Sequence, residues 1–213
     1  QSRQEAQAPQ PAQPGTGEAA GEVPGQTTPA APGVPAAETL QGALASGARV
    51  KIDTPRLSGS INLTGARLDD LVLKDYRETV EDNSPQIHLL KPASLPDGYY
   101  VETGFVGTGA GELPGPATQW NVEGNPTLTA SNPVTLTYSN DAGLTFSRTF
   151  AVDEDYMFTV TDTVANSGGA AATLSGYGRT MRYGTPQVQG IYVLHEGMIG
   201  VTGEEGLQEI DYD

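Results

Sequence analysis

Apolar and polar residues alternate in short stretches from the middle of this chain onward. Leu57, Gly59, Ile61 and Leu63 interleave with Ser58, Ser60 and Asn62. A period of two gives a strand with one apolar face for a core and one polar face for water. After Thr64-Gly65 the pattern resumes toward Thr79, which predicts a pair of strands. The same period recurs over 134–138, 144–152 and 156–164, in stretches rich in Val, Thr, Tyr and Phe. Between and after them SNDAG at 139–143, DED at 153–155 and NSGG at 166–169 supply reversals. Strands that follow one another this closely predict an antiparallel meander of three or four. Residues 172–182 and 191–194 add further strands. No stretch keeps a long 3.6-residue period, so the class is all-β, with two packed sheets.

The first 48 residues read differently. They are Ala, Pro, Gly, Gln and Glu in the main, with prolines at 9, 11, 14, 24, 29, 32 and 35, and the first aromatic of the chain is Tyr76. Such a segment buries too little apolar surface to offset the entropy of ordering it. It reads as a disordered, partly extended tether, with a helical turn around 38–45. Two regions follow: a tether over 1–48 and a folded domain over 49–213.

Composition narrows the function classes. The formal net charge is −15 and there is no cysteine. Nucleic-acid binding needs clustered Lys and Arg, and anionic headgroups need a polybasic run; between Lys91 and Arg148 no basic residue occurs. Disulfides and cysteine-based zinc sites are excluded. No run of eighteen or more apolar residues is present, so no segment reads as a membrane-spanning helix. A start at Gln1 and an end at LQEIDYD lead to the expectation of a piece of a longer polypeptide.

Candidate chemistry is sparse. His88 sits in the strand word QIHLL, where a hydrogen-bonded structural histidine is the favoured reading over a metal ligand. His195-Glu196 offers an acid and a base, but neighbours on one strand face opposite ways, which argues against a shared pocket. The glycine-rich stretch 107–111 lacks the following Lys-Ser/Thr of a phosphate loop and reads as a flexible connection. Asp153-Glu154-Asp155 lacks the spaced ligands of a calcium loop and reads as a solvated turn. Trp120 can stack on a partner or plug the core near a sheet end, the second being favoured. Tyr99 and Tyr100 must face opposite sides of their strand, so at most one is buried. Arg179, Arg182 and Tyr183 set two positive charges close together on an acidic chain. With Trp120 they are the candidate partner-binding residues; no catalytic, cofactor or metal residues are assigned.

Five segments in order carry a resemblance: LSGSINLTGARLDDLVLKDYRET from Leu57, HLLKP from His88, YYVETGFVG from Tyr99, PVTLTYSNDAGLTFSRTFAVDEDYMFTVTDTV from Pro133, and VLHEGMIGV from Val193. They resemble the large periplasmic domain in the N-terminal part of the YidC-type bacterial membrane protein insertases (YidC/Oxa/Alb family). The resemblance implies a large twisted sandwich (a supersandwich like that of galactose mutarotases), a location on the periplasmic side of the inner membrane, and no cofactor. It further implies a non-catalytic role: scaffold or contact surface for nascent inner-membrane proteins and Sec translocon subunits. It also implies a membrane helix before Gln1 and, beyond Asp213, the remainder of the domain and the insertase core. Two other readings stand beside it. One is a carbohydrate-binding or mutarotase-like protein, needing a histidine, a carboxylate and an aromatic platform in one pocket. The other is a secreted adhesion module.

Overall fold

The computed structural model describes residues 39–185, 195–201 and 203–212. Residues 1–38 of the expected tether and the strand expected at 191–194 lie outside the described residues. A six-residue helix, α1 (Leu40–Ala45), opens the described part, its first turn capped by the Thr39 hydroxyl, which accepts the Gly42 N–H at 3.1 Å. Strands β1 (Arg49–Asp53), β2 (Leu57–Asn62), β3 (Arg67–Arg77), β4 (Gln86–Leu90) and β5 (Tyr99–Thr108) follow. After the two-residue strands β6 (Asn121–Val122) and β7 (Thr127–Leu128) come β8 (Val134–Ser139), β9 (Leu144–Val152) and β10 (Phe158–Asn166). Then β11 (Thr173–Arg182) precedes a hairpin of β12 (Gly197–Val201) and β13 (Leu207–Asp211).

The strands form a seven-stranded sheet in the order β11-β5-β3-β2-β1-β7, with β4 paired to β3, and a four-stranded sheet in the order β10-β9-β8-β6. This is the all-β architecture that the alternation predicts, and the meander is β8-β9-β10. One apolar cluster joins the inner faces of the two sheets. Alternate residues of β9 (Leu144, Phe146, Arg148, Phe150, Val152) point into it. On the side of β1 and β2 the packing is tight, with Val50, Ile52, Leu57, Ile61, Leu128 and Leu136 at most 1% exposed. Each such side chain contributes about 1.5–3 kcal/mol through burial. Backbones also come close here: Gly59 (φ 154°) lies against the Asp70 carbonyl, and any Cβ would collide with it.

The other side is looser. Phe158, Val160 and Val164 of β10 and Leu174 of β11 are only partly buried. Both strands end their sheets. The β12–β13 hairpin forms a separate two-stranded sheet that exposes Ile199, Val201, Leu207 and Ile210.

The glycine-rich stretch departs from expectation. Gly107 and Thr108 are the end of β5, while Gly109 (φ 71°) and Gly111 (φ 66°) turn the chain around a buried Ala110. Asn140 fastens that turn, its Nδ2 donating to the carbonyls of Ala110 at 2.7 Å and Glu112 at 2.8 Å. Side-chain clamping from the β8–β9 reversal therefore fixes a segment that composition alone presents as flexible.

Candidate interaction surface

On the looser side, a cavity of about 370 Å³ lies between the two sheets. Leu68, Leu71, Leu90 and Val101 line it from one sheet, and Phe158 and Val160 from β10. Leu89, another lining residue, is 39% exposed, so the cavity meets solvent there. Its lining is apolar with few polar groups, the composition that receives apolar side chains.

Tyr156 stands in the lining at the head of β10 with φ 74°, an uncommon conformation for a bulky residue. The local sequence explains it. Asp153 Oδ1 accepts the N–H groups of Asp155 and Met157, both at 2.8 Å, and this turn forces Tyr156 out of the extended region. Its hydroxyl donates to Asp75 Oδ2 at 2.6 Å, which pushes the phenol above its ordinary pKa. The Arg56 guanidinium lies 5.4 Å above the same ring, and Tyr76 packs at 6.1 Å between centroids. Arg56 is in turn shared between Asp75 at 3.7 Å and Asp155 at 3.4 Å. The Asp153-Glu154-Asp155 turn is thus occupied with its own backbone and with Arg56.

Behind the cavity, Arg148 crosses the core. It makes a two-pronged pair with Asp162 (Nε to Oδ1 2.7 Å, Nη2 to Oδ2 3.0 Å) and donates Nη1 to the Thr103 carbonyl at 2.8 Å. The same guanidinium sits 4.9 Å from the centre of the Trp120 ring. One buried cation therefore ties β9 to its neighbour β10 and to β5 in the opposite sheet.

Among the sequence candidates, Trp120 is 2% exposed and belongs to the core, so its ring is not offered to a partner. Arg179 Nη2 pairs at 2.7 Å with buried Glu102, which also accepts from Arg67 Nε at 2.9 Å. Arg182 stacks on Tyr99 at 5.1 Å. Tyr183 meets Tyr100 edge-on, hydroxyl to hydroxyl at 3.5 Å, and burial followed by this contact pushes Tyr100 up to about 12. Cross-strand register sets Arg179 opposite Glu102 and Arg182 opposite Tyr99, so the two arginines occupy opposite faces of β11. Tyr99 and Tyr100 divide likewise, Tyr100 being buried and Tyr99 packed against the core.

The histidines do not converge. His88 Nε2 is 2.8 Å from Asp70 Oδ1. Asp70 also accepts the Ser60 hydroxyl at 2.6 Å. Burial alone would raise the Asp70 carboxyl, but His88 and Ser60 outweigh it and hold the group low. His195 Nδ1 lies 3.1 Å from Asp211 in the separate hairpin. Neither histidine lines the cavity, and among the described residues no cluster of His, Asp and Glu could hold a metal ion.

Sequence reasoning missed Tyr156, Tyr76, Arg56 and Arg148. Only Arg148 carried a readable signal, since alternation along β9 places it among inward-facing apolar residues.

Residues 49–213 match the family model described as the YidC periplasmic domain. Three relatives are each called membrane protein insertase YidC. That of Mesorhizobium japonicum is 60% identical over 200 residues, covering 89% of this chain and 33% of the relative. That of Brucella suis is 54% identical over 192 residues, covering 89% and 31%. That of Rhizobium johnstonii is 53% identical over 197 residues, covering 91% and 33%. The chain spans about a third of the length of these relatives.

Proposed function

This chain belongs to the YidC periplasmic domain family, and on that premise we propose that it is a non-catalytic contact domain of an inner-membrane insertase. In this reading it is a folded unit over 49–213, incomplete at its C-terminal side and preceded by a tether over 1–48. It touches polypeptides on the periplasmic side while the membrane part of the protein carries out insertion. The partners are nascent inner-membrane proteins and, in assemblies, subunits of the Sec translocon.

One observation carries the reading: the sandwich is packed tight on the β1–β2 side and opens into an apolar cavity beside β10. Apolar surface that a fold leaves accessible is where polypeptide partners bind. A sugar-active reading finds no matching constellation among the described residues. The cavity is lined by neither histidine, and its carboxylate, Glu102, is engaged by Arg67 and Arg179.

The test is Leu89→Glu in the full-length protein, which sets a charge at the cavity entrance from a partly exposed position. Insertion of a client with a long periplasmic loop should fall while the protein keeps its level in the membrane. Unchanged insertion of such clients would contradict the proposal.

A further inference from the structure

We propose that His88 is a proton-operated latch on a bulge of β4: the charged imidazole clamps the bulge to β3 and fixes Leu89, and the neutral ring loosens it. As regulation of the contact surface this rests on the reading above. As a device of the fold it stands on its own geometry.

Leu71 pairs with Leu90, and the next residue of β3, Val72, pairs with His88, so Leu89 is the extra residue of a bulge. Leu90 stays in the core, while Leu89 is set at the cavity mouth. The register shifts again between Leu73 and Arg77, so Ile87 and His88 are laddered between two irregularities. A side-chain tie adds here what the ladder lacks, and it runs across four strands. Arg49 Nε of β1 donates to Ser60 Oγ of β2 at 2.7 Å. Ser60 donates to Asp70 Oδ2 of β3 at 2.6 Å, and Asp70 Oδ1 meets His88 Nε2 of β4 at 2.8 Å.

Within this tie only the histidine changes charge in the neutral range, because imidazole is the side chain that ordinarily titrates there. Burial opposes the charge of Asp70, but His88 and Ser60 keep the carboxylate ionised through that range. Facing the pair are Arg49, which acts on Asp70, and Asp97 of the β4–β5 connection, which acts on His88. Asp97 is itself paired with Lys91 at 2.5 Å. The His88 ring is partly exposed, so protons reach it from solvent. A charged ring gives Asp70 a charge-assisted bond, roughly twice as strong as the neutral one. The clamp is therefore tight on the acid side of the imidazole transition and loosens as pH rises through it.

The experiment places a nitroxide spin label at Leu89→Cys in the full-length protein, any other cysteine being removed. Spectra are compared at about pH 5.5 and about pH 8, either side of an imidazole transition. The ratio of immobile to mobile label should fall about fivefold as pH rises, the difference between a charged and a neutral hydrogen bond. His88→Gln keeps a neutral donor at every pH, so its label should match the unsubstituted latch at the higher pH and show no response. Asp70→Asn, which still accepts from Ser60, should also abolish the response. A label that ignores pH overturns the latch, as does a response that survives both substitutions. An equal response from a label at Lys51→Cys on β1 also overturns it. If the label ignores pH while clients still depend on Leu89, the latch fails and the contact reading stands. If the label follows pH while Leu89→Glu leaves insertion unchanged, the contact reading alone is removed and the latch stands.

Discussion

The two sides of this sandwich are built from the same kinds of residue to different ends. On the β1–β2 side, six aliphatic side chains are at most 1% exposed and Gly59 lets two backbones approach closely. On the β10–β11 side, Phe158 and Val160 stay half-buried beside a cavity of about 370 Å³, and Val164 and Leu174 are also only partly buried. Stability is concentrated where packing is complete, and the proposed contact falls on the incompletely packed side. Arg148 sits between them and couples the tight core to the open strand.

The largest effect should come from that coupling. Arg148→Ala empties a large buried volume and leaves the Thr103 carbonyl unpaired, while the partly exposed Asp162 carboxylate turns to water. A large-to-small change of this size costs about 3–5 kcal/mol. Chemical denaturation of the two proteins would check this. An unchanged midpoint would show that the open strand is not held through the core.

Next, Ile52→Ala on the tight side should cost about 2–5 kcal/mol, while Val160→Ala beside the cavity should cost about 1 kcal/mol or less. Equal costs would erase the distinction between the sides.

Smaller still is the response to acid. Asp53, paired by Lys51 and then Lys74, is lowered from 3.8 to about 2, and Asp70 is also held low. Carboxyls depressed in the folded state stabilise it above their unfolded pKa, and that stabilisation is lost as pH falls through the folded values. Buried Asp69 is raised by desolvation despite Arg49, and so works in the opposite direction. Thermal stability should therefore decline between about pH 4 and pH 2. Asp70→Asn should flatten part of that decline, and an unaltered acid profile would remove Asp70 from the account.

How much of this was legible in the sequence differs by element. Strand β9 occupies the residues that alternation assigns, because its hairpins are local and its inner face is wholly apolar but for Arg148. Strand β10 begins two residues later than the pattern suggests. The Asp153 carboxylate closes a turn that takes Tyr156 out of the strand. The cavity was not legible at all. Its walls come from Leu68, Leu90, Val101 and Val160, residues far apart in sequence that only the sheet order brings together. Proximity in sequence misled in the opposite sense for Arg179 and Arg182, which register sends to opposite faces of one strand. Family resemblance, by contrast, was carried by whole strands and turns in order, and did not depend on locating a site.

The most direct measurement is photocrosslinking from two positions in the full-length protein during client insertion. One is Leu89, at the cavity; the other is Lys51, solvent-facing on β1 at the tight side. Crosslinks to the periplasmic segment of a client from position 89, and none from 51, are the predicted result. Crosslinks of equal strength from both, or from 51 alone, would contradict the claim that the open side is the contact surface.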